Sequence, residues 1–236
     1  MTSGWRRRGR GPSGKRAAEE ALAEAAIEAR VQSFGPYGRG IVSGADLTPD
    51  GAARTAKQLY DAGDRDGAVA LWRQAAEAGS ASAAADLVIE CSADGDYAEA
   101  LRWYRTARRR GMDIPPHDPG VRLRSLGQHR ERAAEGWWRT AAEKFQDDRS
   151  CEYLGISLRE RGETAEAGTW LAQGAARGDA ACSRELAVLA GLALDSATSA
   201  DARQAAGLAM LHWARLAADG GDARAREYLR NLGVDG

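Results

Sequence analysis

The segment Ala134-Glu-Gly-Trp-Trp-Arg-Thr-Ala-Ala-Glu-Lys-Phe145 decides the fold, because four other stretches repeat it in register. They are Ala68-Val-Ala-Leu-Trp-Arg-Gln-Ala-Ala-Glu-Ala-Gly79, Ala100-Leu-Arg-Trp-Tyr-Arg-Thr-Ala-Arg-Arg-Arg-Gly111, Ala167-Gly-Thr-Trp-Leu-Ala-Gln-Gly-Ala-Ala-Arg-Gly178 and Met210-Leu-His-Trp-Ala-Arg-Leu-Ala-Ala-Asp-Gly-Gly221. Ala134, Trp138 and Ala141 lie at i, i+4 and i+7, which is one face of a helix. Ala68, Trp72 and Ala75 repeat that face, as do Ala100, Tyr104 and Ala107. The column Leu71, Trp103, Trp137, Trp170 and Trp213 recurs at spacings of 32, 34, 33 and 43. Four of the five segments end in Gly, which accepts the left-handed backbone of a helix C-terminus. A period of this length indicates stacked helical hairpins, each too small to bury its apolar face alone.

Outward from these second helices, first helices are expected over 49–62, 81–93, 119–128, 149–161 and 180–194, and a last helix over 223–232. Ala62-Gly63-Asp64, Ala93-Asp94-Gly95-Asp96 and Arg161-Gly162-Glu163 supply the tight turns. The spacing of 43 is read as an insertion, Asp195-Ser-Ala-Thr-Ser-Ala-Asp201, between the helices of the fifth pair. Met112 to Gly120 holds Pro115, Pro116 and Pro119, so no helix runs through it. Before the repeats, residues 1–16 carry six positive charges, no acid and four glycines, and are expected to be disordered. Residues 17–32 are a helix candidate with a Glu-rich start and a thin apolar face containing Leu22 and Ile27. Residues 33–47 read as a linker.

Composition excludes several classes. Ala occurs 50 times in 236 residues and the strand-favouring residues are scarce, which argues against a β-sandwich or barrel. The longest nearly apolar run, Leu186 to Leu194, is too short to span a membrane. The net charge of −1 does not describe a general polyanion binder. The arginines near the N-terminus are followed by a polar, Gly-rich stretch rather than an apolar one, so no export signal is expected. Cys91, Cys151 and Cys182 are odd in number and widely spaced, which suits packing cysteines in a reducing cytoplasm. His117, His129 and His212 share no metal-ligand spacing, and no nucleophile elbow or phosphate loop occurs. The chain is therefore expected to be non-catalytic, with no cofactor and no metal.

The pattern resembles the tetratricopeptide repeat and its relative, the Sel-like repeat. The resemblance rests on Tyr153-Leu154-Gly155-Ile156-Ser157-Leu158 followed by Gly162, Ala167 and Leu171. It rests also on Leu71-Trp72 leading to Gly79, on Trp103-Tyr104-Arg-Thr-Ala107, and on Ala217-Ala-Asp-Gly-Gly221. It covers residues 48–232. The third pair departs from it, with Arg122 and Ser125 at packing positions, and the fifth has Ala214 in the aromatic column. The resemblance implies an all-α, right-handed superhelix of about five helix-turn-helix repeats with a C-terminal capping helix. It further implies a concave groove lined by first helices. Matching the family pattern places Arg149, Glu152, Ile156 and Arg159 of the fourth pair there, with Lys57, Tyr60 and Ile89 from the first two. That mixture suits a peptide or protein partner. A second surface is basic: Arg102, Arg105 and Arg109 share a helix face away from the Ala–Tyr–Ala stripe, and residues 102–139 hold ten arginines against four acids. An acidic partner or a nucleic-acid backbone is the alternative occupant.

Overall fold

The computed structural model describes residues 48–234; the expectations for 1–16, 17–32 and 33–47 lie outside the described residues. Among the described residues every regular element is helical. The chain divides into two compact units after Ile114.

The first unit contains α1 (Pro49–Asp61), α2 (Arg65–Ala78), α3 (Ala81–Ala93) and α4 (Tyr97–Arg109). The two hairpins follow from punctuation in the sequence. Gly63 takes φ +92° at the first turn, and Asp64 then caps α2 by accepting from the Gly67 N–H. Gly95 and Asp96 repeat the device before α4. The core is the predicted alanine–aromatic face: Trp72 and Tyr104 are buried against Ala68, Ala75, Ala100 and Ala107. Their polar ends are satisfied, Trp72 Nε1 donating to the Ala53 carbonyl and the Tyr104 hydroxyl to that of Ile114.

The second unit contains α5 (Asp118–Ser125), α6 (Glu131–Phe145), α7 (Asp148–Glu160), α8 (Thr164–Ala176), α9 (Ala180–Ser196), α10 (Ala200–Asp219) and α11 (Ala223–Asn231). Trp137, Trp138 and Leu171 are fully buried. Large residues close on glycines of the facing helix. A Cβ on Gly155 would lie 2.4 Å from Leu171 Cγ, and one on Gly120 would lie 2.2 Å from Trp138 Nε1. Cys151 and Cys182 join Ala142, Leu171 and Leu186 in a core cluster, with Trp170, Leu189 and Trp213 packed against it.

Two boundaries differ from expectation. The third first helix stops at Ser125 rather than 128, because Gly127 takes φ +124° and a 3-10 turn, Gln128–Arg130, follows. The insertion at 195–201 is not a loop. Its flanks are rich in Ala and Leu and propagate the helices, leaving only residues 197–199 between them. Ser199 then caps α10 by accepting from the Ala202 N–H. The fifth pair is thus a long one, with 17 residues in α9 and 20 in α10, against 13 each in α7 and α8.

Candidate functional site

Helices α7, α9 and α11 of the second unit are joined by a run of ion pairs. Arg149 Nη1 meets Glu152 Oε2 at 2.8 Å, and Arg184 Nη2 meets Glu152 Oε1 at 3.1 Å. Arg184 also reaches Glu185 Oε1 at 3.1 Å and, through Nη1, Asp222 Oδ2 at 2.7 Å. Arg159 closes on Glu185 Oε2 at 3.6 Å. Glu152 and Glu185 are buried, and this pairing is what allows two carboxylates to leave water. Burial opposes ionisation of Asp222, but the Ala225 N–H and the Arg184 guanidinium outweigh it and hold the carboxyl below its usual range. The Arg149 guanidinium is raised, chiefly by its hydrogen bond to Glu152.

Where the ion pairs end, an apolar cavity of about 330 Å³ begins, with Arg184 common to both. It lies between α9 and α11 over a floor of α10. Ala187, Val188 and Gly191 line one side, Met210 and Ala214 the floor, and Arg224, Ala225 and Tyr228 the other side. The Tyr228 hydroxyl donates to Met210 Sδ at 3.1 Å across it. The cavity follows from helix register. One repeat earlier, α9 packs on both α7 and α8. Helix α11 packs on α10, and among the described residues the space toward α9 stays open. Six of the seven large exposed hydrophobics among the described residues belong to this last pair and the segment after it: Val188, Leu192, Leu208, Leu216, Tyr228 and Leu232.

The fourth-pair groove residues read from sequence all lie on α7. Arg149, Glu152 and Arg159 are brought together in the ion-pair run, and Ile156 is half-buried beside them. Lys57 and Tyr60 lie on α1 of the first unit. Lys57 pairs with Asp61 and sits 5.8 Å from the Tyr60 ring centre, and that ring packs 5.5 Å from Trp72. Ile89 is corrected: it is 4% exposed, because α3 packs against α1, α2 and α4, and it offers a partner no surface. On the basic face, Arg102 is engaged by Glu99 and stacks 4.1 Å from the Trp103 ring centre. Arg105 and Arg109 are exposed and make no ion pair among the described residues. Arg184, Glu185, Asp222 and the cavity were missed in the sequence reading. The available signal was the spacing of 43 at the fifth pair, ten more than the 33 before it, ahead of a short last helix.

Reactive groups are sparse. Burial pushes the Cys91 thiol up to about 11 and raises Cys151 and Cys182 as well, so none of the three is a ready nucleophile at neutral pH. Among the described residues, no group of three or more His, Cys, Asp or Glu is placed to hold a metal ion. No described helix is long and apolar enough to cross a membrane.

No family model and no curated protein matches the chain. Solved structures similar to it include YrrB, described as a TPR protein with an unusual peptide-binding site, at 18% identity and a TM-score of 0.41, covering 90% of this chain and 99% of that one. A Sel1 repeat protein from Oxalobacter formigenes is 22% identical, with a TM-score of 0.38, covering 87% of this chain and 88% of that one. The protective antigen c5321 of uropathogenic Escherichia coli, which displays an SLR fold, is 20% identical, with a TM-score of 0.43, covering 94% of this chain and 51% of that one.

Proposed function

We propose that this chain is a non-catalytic protein-interaction module that binds a peptide or protein segment on the face formed by α7, α9 and α11. The observation that carries the reading is the open apolar cavity at the end of a run of paired charges. Unpartnered apolar surface rimmed by polar groups is the mark of an interaction site. Arg149 and Glu152 shape this face while being engaged with each other; Arg159 is its loosest member, since its pair with Glu185 is the longest of the run at 3.6 Å and its Nε makes no hydrogen bond among the described residues. Arg159 and Ile156 are the α7 groups positioned to meet a partner. An adaptor or assembly role in the cytoplasm follows as part of the same proposal.

The test uses the full chain as bait in extracts of its native host, with cross-linking to map the contacts. Partners cross-linked to residues of α7, α9 and α11 support the reading, and a bait that retains nothing specific overturns it. A second reading places an acidic partner or a nucleic-acid backbone against Arg105 and Arg109, because these two cations are exposed and without an ion pair among the described residues. That reading predicts retention on heparin that weakens steeply with salt and is lost in the Arg105→Ala/Arg109→Ala chain.

A further inference from the structure

The cavity between α9 and α11 has the form of an unfilled helix position. Helix α11 has nine residues and spans about 13 Å, while α10 has 20 and spans about 30 Å. Among the described residues, helix α11 therefore covers only part of the surface that the fifth pair presents. Two apolar edges continue past the cavity lining. Val188 and Leu192 are one turn apart on α9, and Tyr228 and Leu232 are one turn apart along α11 and its cap. All four are exposed, from 39% at Tyr228 to 47% at Leu192 and Leu232.

The charges on the two sides differ in a way that selects the occupant. On the α7–α9 side each arginine of the run is answered by a carboxylate within the unit. On the α11 side they are not. Arg224 lines the cavity, is exposed, and makes no ion pair among the described residues. Arg226 and Arg230 of the same helix are also exposed and without an ion pair among the described residues, and α11 as a whole carries three arginines against one glutamate.

We propose that this cleft docks an acidic amphipathic helix of a partner protein, seating an aliphatic or aromatic anchor between Val188, Gly191 and Met210 and setting its carboxylates against Arg224. The proposal rests on the interaction-module reading and narrows it to one site and one partner chemistry. A helix suits the cleft better than a compact ligand, because the apolar edges at Leu192 and Leu232 extend beyond the cavity and need an elongated cover. Complementary charge along one edge then fixes its direction and register.

Two substitutions in the full chain isolate the site. Gly191→Phe fills the cavity from its own wall; a Cβ there meets only Met210 Sδ, at 3.7 Å, which is ordinary contact. Arg224→Glu reverses the edge charge at an exposed position. The probes are three labelled 16-residue helical peptides built from Ala and Leu with Glu, Gln or Lys on the polar face, titrated by fluorescence anisotropy. The Glu peptide is expected to bind most tightly. Gly191→Phe is expected to weaken it about ten- to a hundredfold, the worth of one buried aliphatic anchor. Arg224→Glu is expected to weaken it about tenfold and to invert the preference toward the Lys peptide. Thermal melts of both variants should match the parent chain. Equal binding of all three peptides, no binding of the Glu peptide, or wild-type binding by Gly191→Phe overturns the proposal. A self-association lost in Gly191→Phe also overturns it, in favour of a second copy as the occupant. Peptide binding that appears only after Leu22→Asp/Ile27→Asp overturns it in favour of the chain's own N-terminal segment. The module reading fails separately, when the bait retains no partner; a partner retained equally by the parent chain, Gly191→Phe and Arg224→Glu defeats this inference alone.

Discussion

Replacing Arg184 with Met separates a structural brace from a binding surface. Among the described residues, Arg184 alone touches Glu152, Glu185 and Asp222 at once, at distances of 2.7 to 3.1 Å. Met keeps much of its apolar length and removes the charge, leaving three largely buried carboxylates facing one another with Arg149 and Arg159 as the remaining cations. Removing one partner of a fully buried ion pair costs about 3–5 kcal/mol. Arg184 is 22% exposed at the side chain and two cations survive, so the expected cost falls at or below the lower bound, about 2–3 kcal/mol. For a chain of this size that lowers Tm by roughly 4–12 °C. Urea unfolding at neutral pH, followed by circular dichroism, measures it. Arg149→Met is the control: Arg149 is 58% exposed and pairs with Glu152 alone, so its loss should cost less than about 1 kcal/mol. An Arg184→Met chain as stable as the Arg149→Met chain refutes the brace and makes Glu152 and Glu185 available to a partner. The run of pairs also bears on any charge reversal at Arg149 and Arg159, which would set new carboxylates against buried ones and lower stability along with binding.

Further outcomes follow from packing, backbone and ionisation. Gly155→Ala places a methyl group 2.4 Å from Leu171 Cγ and should cost about 1–3 kcal/mol; in the Gly155→Ala/Leu171→Ala chain the two losses should fall well short of their sum, as a double-mutant cycle in urea would show. Gln146 takes φ +54° where the four comparable repeat ends have Gly, so Gln146→Gly should raise stability by up to about 1 kcal/mol, seen as a higher Tm. Asp222 has a folded pKa below its unfolded value, so its contribution is complete above the unfolded pKa of about 4 and is lost as pH falls through the lower folded value. The stability difference between the parent chain and Asp222→Asn should therefore narrow in that acidic window and stay constant above it.

The sequence exposed the fold because each repeat states its packing locally. Trp72, Tyr104, Trp138 and Leu171 occupy one column at helical spacing from small residues, and all four are buried. Gly–Asp turns and Asp caps mark the ends as clearly. What the sequence did not expose depends on contacts between distant residues. Ile89 sits at a first-helix position that resembles groove lining, yet three neighbouring helices cover it. Arg149, Glu152 and Arg159 are charged residues on one helix and read as a solvated recognition face. Only Arg184, 32 residues beyond Glu152, and Asp222, 38 further, convert them into a buried brace. The first separation is about one repeat, so periodicity places the two residues on successive first helices, but it does not say that their side chains pair.

The extra residues of the fifth pair carry the remaining step. Taken as a loop, 195–201 would leave the last hairpin the same size as its predecessors, and a short closing helix would cap it. Ala- and Leu-rich flanks instead favour helix on both sides, so the added residues lengthen α9 and α10 and extend apolar surface beyond the reach of α11. Around α11, Leu192, Leu208, Tyr228 and Leu232 are exposed among the described residues, beside an arginine without an ion pair among them. One local choice, helix rather than loop at a single insertion, thus determines whether α11 covers the fifth pair or leaves a place for another helix beside it.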